Sequence, residues 1–173
     1  MRYGIGLDNV DLAAAAEHGI PVCNVPDYCI DEVADHTMSL ALALARQLTT
    51  TDRLVRRGVW KITPPLAMAP FRGMTFATMG YGRIARAVLA RAAVFGFRTA
   101  FYDPFVPEGT AGPDTRLRDS SQLFGEADII SLHLPLHPDT RHVIGAEALR
   151  LMKPTAILVN TARGGLVDTD ALA

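Results

Sequence analysis

Beyond residue 74 the chain alternates short apolar runs with helical patterns. The apolar runs are MTFATMG (74–80), RTAFYDP (98–104), DIISLHLP (128–135) and TAILVNTAR (155–163). Between them lie RIARAVLARAAVFG, SSQLFGEA and GAEALRLM, whose apolar residues recur at helical spacing. Strands that are apolar throughout and separated by helices are typical of a parallel sheet covered on both faces. We therefore predict an α/β fold with right-handed crossovers.

The first 60 residues show a different pattern. DLAAAAEHG predicts a short helix that Asp11 caps at its start and Gly19 ends. IPVCNVP predicts a short strand that Pro26 stops. From about Asp31 to the region of Gly58 the pattern predicts one long helix, with a solvated basic end in DRLVRRG.

The middle of that long helix is apolar nearly all round, which predicts burial against other elements. The residues concerned are Met38, Leu40, Ala41, Leu42 and Leu44. After the helix, Pro64, Pro65 and Pro70 break any regular element, so we expect a connecting loop there.

Composition and charge exclude several classes of protein. Of 173 residues, 49% are hydrophobic and 20% charged, and the formal net charge is −1, so the chain is neither disordered nor suited to a nucleic-acid partner. The apolar run MSLALALA is too short to cross a membrane, and the N-terminus lacks a signal-peptide core. Cys23 and Cys29 have no zinc-ligand spacing. We expect a reduced, cytoplasmic, soluble protein.

Histidines do not predict a metal site either. His133, His137 and His142 cluster around the third apolar run and its following loop, but Pro135 and Pro138 break the geometry that a helical pair of ligands needs. His18 and His36 lie in predicted helices, where packing or capping is the expected role.

The first apolar run ends in a glycine motif that predicts dinucleotide binding. GYGRIA (80–85) fits G-x-G-x-x-G/A between a strand and a helix. Gly80 permits a tight turn, Gly82 lets the backbone approach a pyrophosphate, and Ala85 keeps the helix close to the strand. The helix N-terminus then offers unpaired N–H groups to the phosphates. Thr78 departs from the pattern, because an aliphatic residue would pack better in the strand.

Asp103 ends the second apolar run, about twenty residues after the glycines, where this fingerprint places an acid. A carboxylate accepts hydrogen bonds from ribose hydroxyls and repels a 2′-phosphate, which predicts NAD rather than NADP. The alternative is that Asp103 only caps a turn before Pro104. Together the motif and the alternating pattern predict a Rossmann-like doubly wound parallel sheet.

Six stretches of the sequence resemble one known family. They are RYGIGLDNVD, NVPDYCIDEVADHT, GYGRIARAV, FYDPFVP, DIISLHLPLHPDTRHVIG and LMKPTAILVNTARGGLVD. Together they are similar to the NAD-dependent D-isomer-specific 2-hydroxyacid dehydrogenases, which include phosphoglycerate dehydrogenase and the C-terminal-binding-protein co-repressors. The resemblance implies a substrate-binding domain and a nucleotide-binding domain with the active site between them, and a homodimer formed through the nucleotide-binding domains.

The resemblance also implies roles for individual residues. Gly4 and Ile5 would offer main-chain N–H groups to a substrate carboxylate. Arg83 and Ile84 would meet the pyrophosphate, and Asp103 the adenosine ribose. The remaining cofactor contacts would come from Leu134, Pro135, Thr140, Thr161, Ala162 and Arg163.

Arg163 matches the catalytic arginine of that family. A 2-oxo acid presents a carboxylate and a carbonyl oxygen side by side, and a planar guanidinium can donate to both. A fixed cation also favours the negative charge that grows on the carbonyl oxygen during hydride transfer. Gly164 and Gly165 allow a close turn. The alternative is that Arg163 pairs with Asp168 or a helix end.

The resemblance further implies that the chain is truncated at both ends. Residues 1–30 would be a remnant of the substrate-binding domain, and 31–173 a nucleotide-binding domain whose sheet is incomplete. The family's general acid/base histidine and its glutamate partner would fall after residue 173. An uncovered sheet edge and the exposed helix around Leu40 to Leu44 would then make the isolated chain prone to aggregation or dependent on a partner copy. The alternatives to an enzyme are an NAD-sensing, co-repressor-like module and a non-functional gene fragment.

Overall fold

The computed structural model describes residues 1–60, 68–110 and 112–173. Its centre is a five-stranded sheet of order β3-β2-β1-β4-β5, and every neighbouring pair of strands is parallel. The strands are β1 (Thr75–Met79), β2 (Arg98–Tyr102), β3 (Thr115–Arg116), β4 (Ile129–Leu132) and β5 (Ile157–Asn160). The predicted α/β class and the four apolar strands are confirmed. The pattern did not predict β3, because two polar residues give no periodicity.

In the described residues, seven α-helices accompany the sheet. They are α1 (Leu12–Glu17), α2 (Ile30–Ala45), α3 (Leu48–Arg56), α4 (Arg83–Val94), α5 (Ser120–Glu126), α6 (Ala146–Leu151) and α7 (Thr169–Leu172), with a 3₁₀ turn at Gly164–Leu166. The described part of the chain contains no helix of the length and apolarity that a membrane span requires.

Both faces of the sheet are covered by helices, as predicted for strands that are apolar throughout. Successive residues of a strand point to opposite faces. Ile129 therefore packs in one core with α2 and α4, whereas Ile130 packs in the other with α5 and α6. All five residues of β1 are buried, which places this strand at the centre of the molecule.

The single long helix predicted from Asp31 to Gly58 is wrong. The amides of Arg46 and Gln47 bond to the carbonyls of Leu42 and Leu44, Gln47 takes the left-handed conformation with φ 52°, and a second helix begins at Leu48. The apolar spacing continues across this break, so periodicity alone could not locate it.

Complete burial of the middle of α2 is also wrong. Met38 and Ala41 are buried, but Leu40 is 38% and Leu44 49% exposed. The helix packs on α4 and β5 through one face only.

Near the N-terminus the predicted helix forms and the predicted strand does not. Asp11 accepts the Ala14 amide at 2.9 Å as the cap of α1, and Gly19 ends the helix region with φ +64°. Residues 20–26 form no strand. Two backbone hydrogen bonds join this segment to residues 2–4, from Arg2 to Cys23 and from Val25 to Gly4, too few for a ladder. Of the predicted loop, Pro70 lies in irregular structure, and Pro64 and Pro65 lie outside the described residues.

Candidate nucleotide and substrate site

The turn after β1 requires glycine at position 80. Gly80 has φ +94°, and a Cβ there would overlap the carbonyl group of His133. Its amide donates to the Tyr102 carbonyl at 2.8 Å, which ties the turn to the end of β2. The Thr78 hydroxyl donates to the Gly80 carbonyl at 2.9 Å. This bond explains the polar residue inside an otherwise apolar strand, because a buried hydroxyl must find a partner.

The N-terminus of α4 is open. Gly82 is the N-cap residue, no side chain caps the helix, and a Cβ on Gly82 would meet nothing within 4 Å. Ala85, one turn into the helix, is fully buried and lets α4 lie close to the sheet. The first amides of this 12-residue helix have neither an intrahelical acceptor nor a side-chain cap, which fits a pyrophosphate. Arg83 reaches away from its helix and donates to the Pro26 carbonyl at 2.8 Å, and Ile84 packs partly against the core.

Asp103 holds the glycine turn and caps its own turn at the same time. One carboxylate oxygen accepts the Tyr81 amide and the other accepts the Phe105 amide, both at 2.9 Å. The turn-capping alternative is thus present in the structure. It does not exclude a ribose contact, because each carboxylate oxygen can accept a further hydrogen bond.

Sequence reasoning missed Tyr81, the residue between the two glycines. Its ring stacks on Phe101 with centroids 3.6 Å apart, and the Arg86 guanidinium lies 4.7 Å from the ring centroid. Its hydroxyl donates to Asp114 at 2.8 Å. Burial and the Asp114 carboxylate raise the pKa of Tyr81, so it stays a neutral donor. An aromatic residue at the variable position of the motif was the available signal.

Leu134, Pro135 and Thr140 belong to the loop that follows β4. The Thr140 hydroxyl donates to the Pro135 carbonyl and accepts from the His137 amide, each at 2.7 Å. This hydroxyl therefore closes the loop, and Leu134 packs against the core beside it. Pro135 is exposed. The three residues share the edge of the sheet on which Gly80 lies, because β1 and β4 are parallel neighbours.

Asn160, which sequence reasoning also missed, shapes the turn after β5. Its amide nitrogen donates to the Arg163 carbonyl at 2.9 Å, and its oxygen accepts the Ala162 amide at 3.0 Å. The hydroxyl of Thr161 lies 2.9 Å from the hydroxyl of Thr37, a fully buried residue of α2. Asparagine at the end of a strand is a familiar turn signal, whereas nothing local in the sequence points to Thr37.

The Arg163 side chain pairs with Asp8. Its Nε donates to Asp8 Oδ2 at 3.1 Å, and its Nη2 donates to Asp8 Oδ1 at 2.8 Å. This hydrogen-bonded ion pair lowers the pKa of Asp8 to about 2 and raises the pKa of Arg163. Asp168 is not the partner: it caps α7 and lies 3.9 Å from His142 Nδ1. The predicted alternative of an Arg163–Asp168 pair is therefore wrong.

The N-terminal loop lies next to Arg163, and its backbone carbonyls and amides differ in their hydrogen bonding. The Gly4 and Ile5 carbonyls accept from the Val25 amide and the Asn24 side chain. Among residues 1–60, 68–110 and 112–173, the amides of Gly4 and Ile5 have no acceptor. A Cβ on Gly6 would overlap the Arg163 guanidinium, so glycine is required for this approach.

One edge of the sheet thus collects the predicted residues. The glycine turn, the loop after β4 and the turn after β5 all follow the carboxyl ends of parallel strands, where ligands of open α/β sheets bind. Within the described ranges, no group of three or more histidine, cysteine or acidic side chains is arranged to hold a metal ion.

Residues 38–173 match the family model described as "D-isomer specific 2-hydroxyacid dehydrogenase, NAD binding domain". The chain belongs to this family. The resemblance seen in the sequence is confirmed, and the cradle of Gly80, Gly82 and α4 belongs to an NAD-binding domain.

Named relatives agree with this family. The chain is 43% identical to the D-3-phosphoglycerate dehydrogenase of Methanocaldococcus jannaschii, over 99% of this chain and 33% of that protein. It is 40% identical to the glyoxylate reductase of Thermococcus litoralis, over 99% of this chain and 54% of that protein. The chain therefore spans between a third and about half of the length of these relatives.

A solved structure shows the same arrangement of elements. The D-lactate dehydrogenase from Aquifex aeolicus, crystallised with NAD and lactic acid, is 32% identical and superposes with a TM-score of 0.90. The match covers 98% of this chain and 51% of that one. Family and fold are consequently established together, while the relatives differ in the substrates for which they are named.

Proposed function

We propose that the intact protein is an NAD-dependent dehydrogenase that interconverts a 2-oxo acid and a D-2-hydroxy acid. One observation carries this proposal: the Arg163 guanidinium approaches Gly6, next to Gly4 and Ile5, whose amides have no acceptor among the described residues. Arg163 follows β5 at the carboxyl edge of the sheet, where the glycine turn after β1 also lies. Cofactor and substrate sites are thus adjacent. NADH, when bound, supplies the hydride.

The chain's own residues bind and orient the acid. The amides of Gly4 and Ile5 and the guanidinium of Arg163 are all donors, which suits a carboxylate next to a carbonyl group. Arg163 would stabilise the charge that develops on the carbonyl oxygen, because its position is already fixed before the reaction starts. Asn160 fixes the backbone of the same turn.

The cofactor would contact the chain through the residues that surround the cradle. Gly80, Gly82, Arg83 and Ile84 would meet the pyrophosphate, and Asp103 the adenosine ribose. The carboxylate of Asp103 favours NAD over NADP, because it would repel a 2′-phosphate. Leu134, Pro135, Thr140, Thr161, Ala162 and Arg163 would complete the cofactor site.

None of the described histidines is proposed as the proton donor. His133 is largely buried, and its Nε2 lies 2.8 Å from the Ser131 hydroxyl. Burial lowers the pKa of His133 to about 4. His137 and His142 are exposed on the loop after β4, and His18 and His36 are exposed on the first two helices and their ends.

We also propose the organisation of the protein around this site. Residues 1–30 would belong to the substrate-binding domain and 31–173 to the nucleotide-binding domain, which agrees with the start of α2 at Ile30. The nucleotide-binding domains would form a homodimer through the exposed leucines of α2. A cytoplasmic location is supported by the composition and by the class of small, polar substrate.

Arg163→Ala is the direct test of the proposed activity. We expect kcat/KM for reduction of glyoxylate or pyruvate by NADH to fall about 10²-fold or more, because an oriented donor to the developing oxyanion is lost. Arg150→Ala is the matched control, since the Nε of Arg150 donates to Ala146 within its own helix α6. Steady-state kinetics on the intact protein measure both.

Two outcomes would contradict the proposal in different ways. Equal kcat/KM for the two variants would remove the catalytic role of Arg163. Saturable NADH binding without turnover of any small 2-oxo acid would instead favour the NAD-sensing, co-repressor-like module.

A further inference from the structure

Three of the five N–H donors of Arg163 are already engaged. Nε and one hydrogen of Nη2 point at the two oxygens of Asp8, and one hydrogen of Nη1 points at the carbonyl of Ala162, 2.9 Å away. Among the described residues, one hydrogen on each of Nη1 and Nη2 has no acceptor. The two Nη nitrogens form the outer end of a guanidinium, and this end can bind a carboxylate or a 2-oxo acid by two parallel bonds.

We infer that Asp8 is a positioning residue that holds one edge of the Arg163 guanidinium so that its outer end faces the substrate. The inference rests on the proposed function, because it assigns a task to a residue of the same site. Asp8 comes from the N-terminal segment and Arg163 from the turn after β5, 155 residues apart in sequence.

The surroundings of the pair are built to keep this geometry. Asp8 lies in a turn that the hydrogen bond from the Val10 amide to the Leu7 carbonyl closes at 3.0 Å. Gly6 leaves room for the guanidinium, because a Cβ there would overlap Nη2 of Arg163 and lie 2.6 Å from an Asp8 oxygen. Backbone on both sides of the pair is therefore fixed.

Stability alone does not account for the pair. The Arg163 side chain is 37% and the Asp8 side chain 46% exposed, so solvent screens their attraction. Exposed ion pairs of this kind contribute little to the free energy of unfolding. The hydrogen bond with Arg163 lowers the pKa of Asp8 to about 2, so the Asp8 carboxylate keeps its charge further into acid than an ordinary aspartate.

A competing role for Asp8 would give the opposite result. If its carboxylate only occupied the place of the substrate's carboxylate, removing it would raise substrate affinity. Positioning predicts instead that removal weakens substrate binding and slows turnover, because the guanidinium then samples other orientations.

The test compares Asp8→Ala, Asp8→Asn and Asp52→Ala in the intact protein. Asp52 is the matched control because it forms a similar pair with Arg56 on α3, with both side chains more than half exposed. We expect Asp8→Ala to raise KM for glyoxylate or pyruvate and to lower kcat/KM about 10- to 100-fold, with NADH affinity unchanged. Asp8→Asn, which keeps one acceptor oxygen, should retain more activity than Asp8→Ala.

A nuclear magnetic resonance measurement supplies a readout that does not depend on turnover. The ¹⁵N resonance of Arg163 Nε, assigned by its absence in Arg163→Lys, should shift in Asp8→Ala and stay in place in Asp52→Ala. An unmoved resonance would overturn the inference, as would a kcat/KM in Asp8→Ala equal to or above that of Asp52→Ala.

Failure of the proposed function would look different. The unsubstituted protein would then reduce no 2-oxo acid although the Arg163 resonance still shifts in Asp8→Ala. In that case Asp8 and Arg163 form the ion pair but the protein has no 2-oxo acid substrate. Both the proposed activity and the positioning role of Asp8 would then be wrong.

Discussion

His133 connects the phosphate turn to the core through both its backbone and its side chain. Its carbonyl lies where a Cβ of residue 80 would have to go, which is one reason for Gly80. Its ring lies in a largely buried position beside Ser131, a residue with no exposed surface. Burial disfavours the charged imidazolium, so the pKa of His133 falls to about 4. The ring is therefore neutral at physiological pH.

This lowered pKa predicts loss of stability in weak acid. The folded pKa of about 4 lies below the ordinary value of 6.5, so between these values the unfolded chain binds the proton more readily. Stability from His133 is fully present above about pH 6.5 and is lost as the pH falls toward 4. Between about pH 7.5 and 5 the free energy of unfolding should drop by about 2 kcal/mol on this account.

His133→Gln checks the assignment. Between about pH 7.5 and 5, the free energy of unfolding of this variant should fall by about 2 kcal/mol less than that of the unsubstituted protein. Urea unfolding measures this difference. His142→Gln is the control, because His142 is exposed. If His133→Gln and His142→Gln showed the same pH dependence, His133 would not be the group responsible.

Helix α2 has two faces with different partners. Ala34, Met38 and Ala41 are buried in the core shared with α4. Arg91 of α4 adds ion pairs to Asp31 and Asp35 at 2.8 Å and 2.6 Å, which join the two helices at the surface. Leu40 and Leu44 stay exposed, and Leu48 at the start of α3 is 57% exposed. Contiguous exposed apolar patches are typical of interaction sites between proteins.

Leu44→Glu tests the proposed dimer through this face. A glutamate cannot be buried there without a large desolvation cost, and two symmetric copies double the effect. We expect the intact protein to sediment as a dimer and Leu44→Glu to raise the dimer dissociation constant about 100-fold or more. The control is Leu151→Glu on α6, where Leu151 is 43% exposed. A monomeric unsubstituted protein, or a Leu44→Glu variant as dimeric as the control, would contradict the proposal.

At the scale of elements, prediction from the sequence succeeded where periodicity and turn chemistry agree. β1 and α4 each have a distinct period, and Gly80 and Gly82 mark the junction between them. The boundary between α2 and α3 was missed because both helices share one apolar spacing. The segment at 20–26 was misread as a strand because its residues favour extended structure, although only two hydrogen bonds support it.

At the scale of the whole molecule, the site consists of contacts between distant parts of the chain. Arg163 and the glycine turn were predictable, because each lies in a motif with its own chemical reason. The partners Asp8 and Thr37 were not, because they lie 155 and 124 residues from Arg163 and Thr161. Only the fold brings the two residues of each pair together, so the local sequence around either residue does not indicate its partner.

NAD binding depends on the arrangement of the whole sheet. Strand order places β1 in the middle of the sheet, so the turn at Gly80 lies at the centre of its carboxyl edge. The turn after β5 lies at the same edge, and the N-terminal loop contacts that turn through Asp8 and Arg163. Binding of the dinucleotide is thus the step on which every other proposed role depends.

Titration of the intact protein with NADH, followed by the fluorescence of the nicotinamide, tests directly whether the protein binds the dinucleotide. Gly82→Asp places a carboxylate at the open N-terminus of α4, and Gly125→Asp is the control, because a Cβ at either position meets nothing within 4 Å. We predict saturable NADH binding to the unsubstituted protein and to Gly125→Asp. The NADH affinity of Gly82→Asp should be lower than that of either protein by about 30-fold or more. Absence of saturable binding, or equal affinities for Gly82→Asp and Gly125→Asp, would contradict the account.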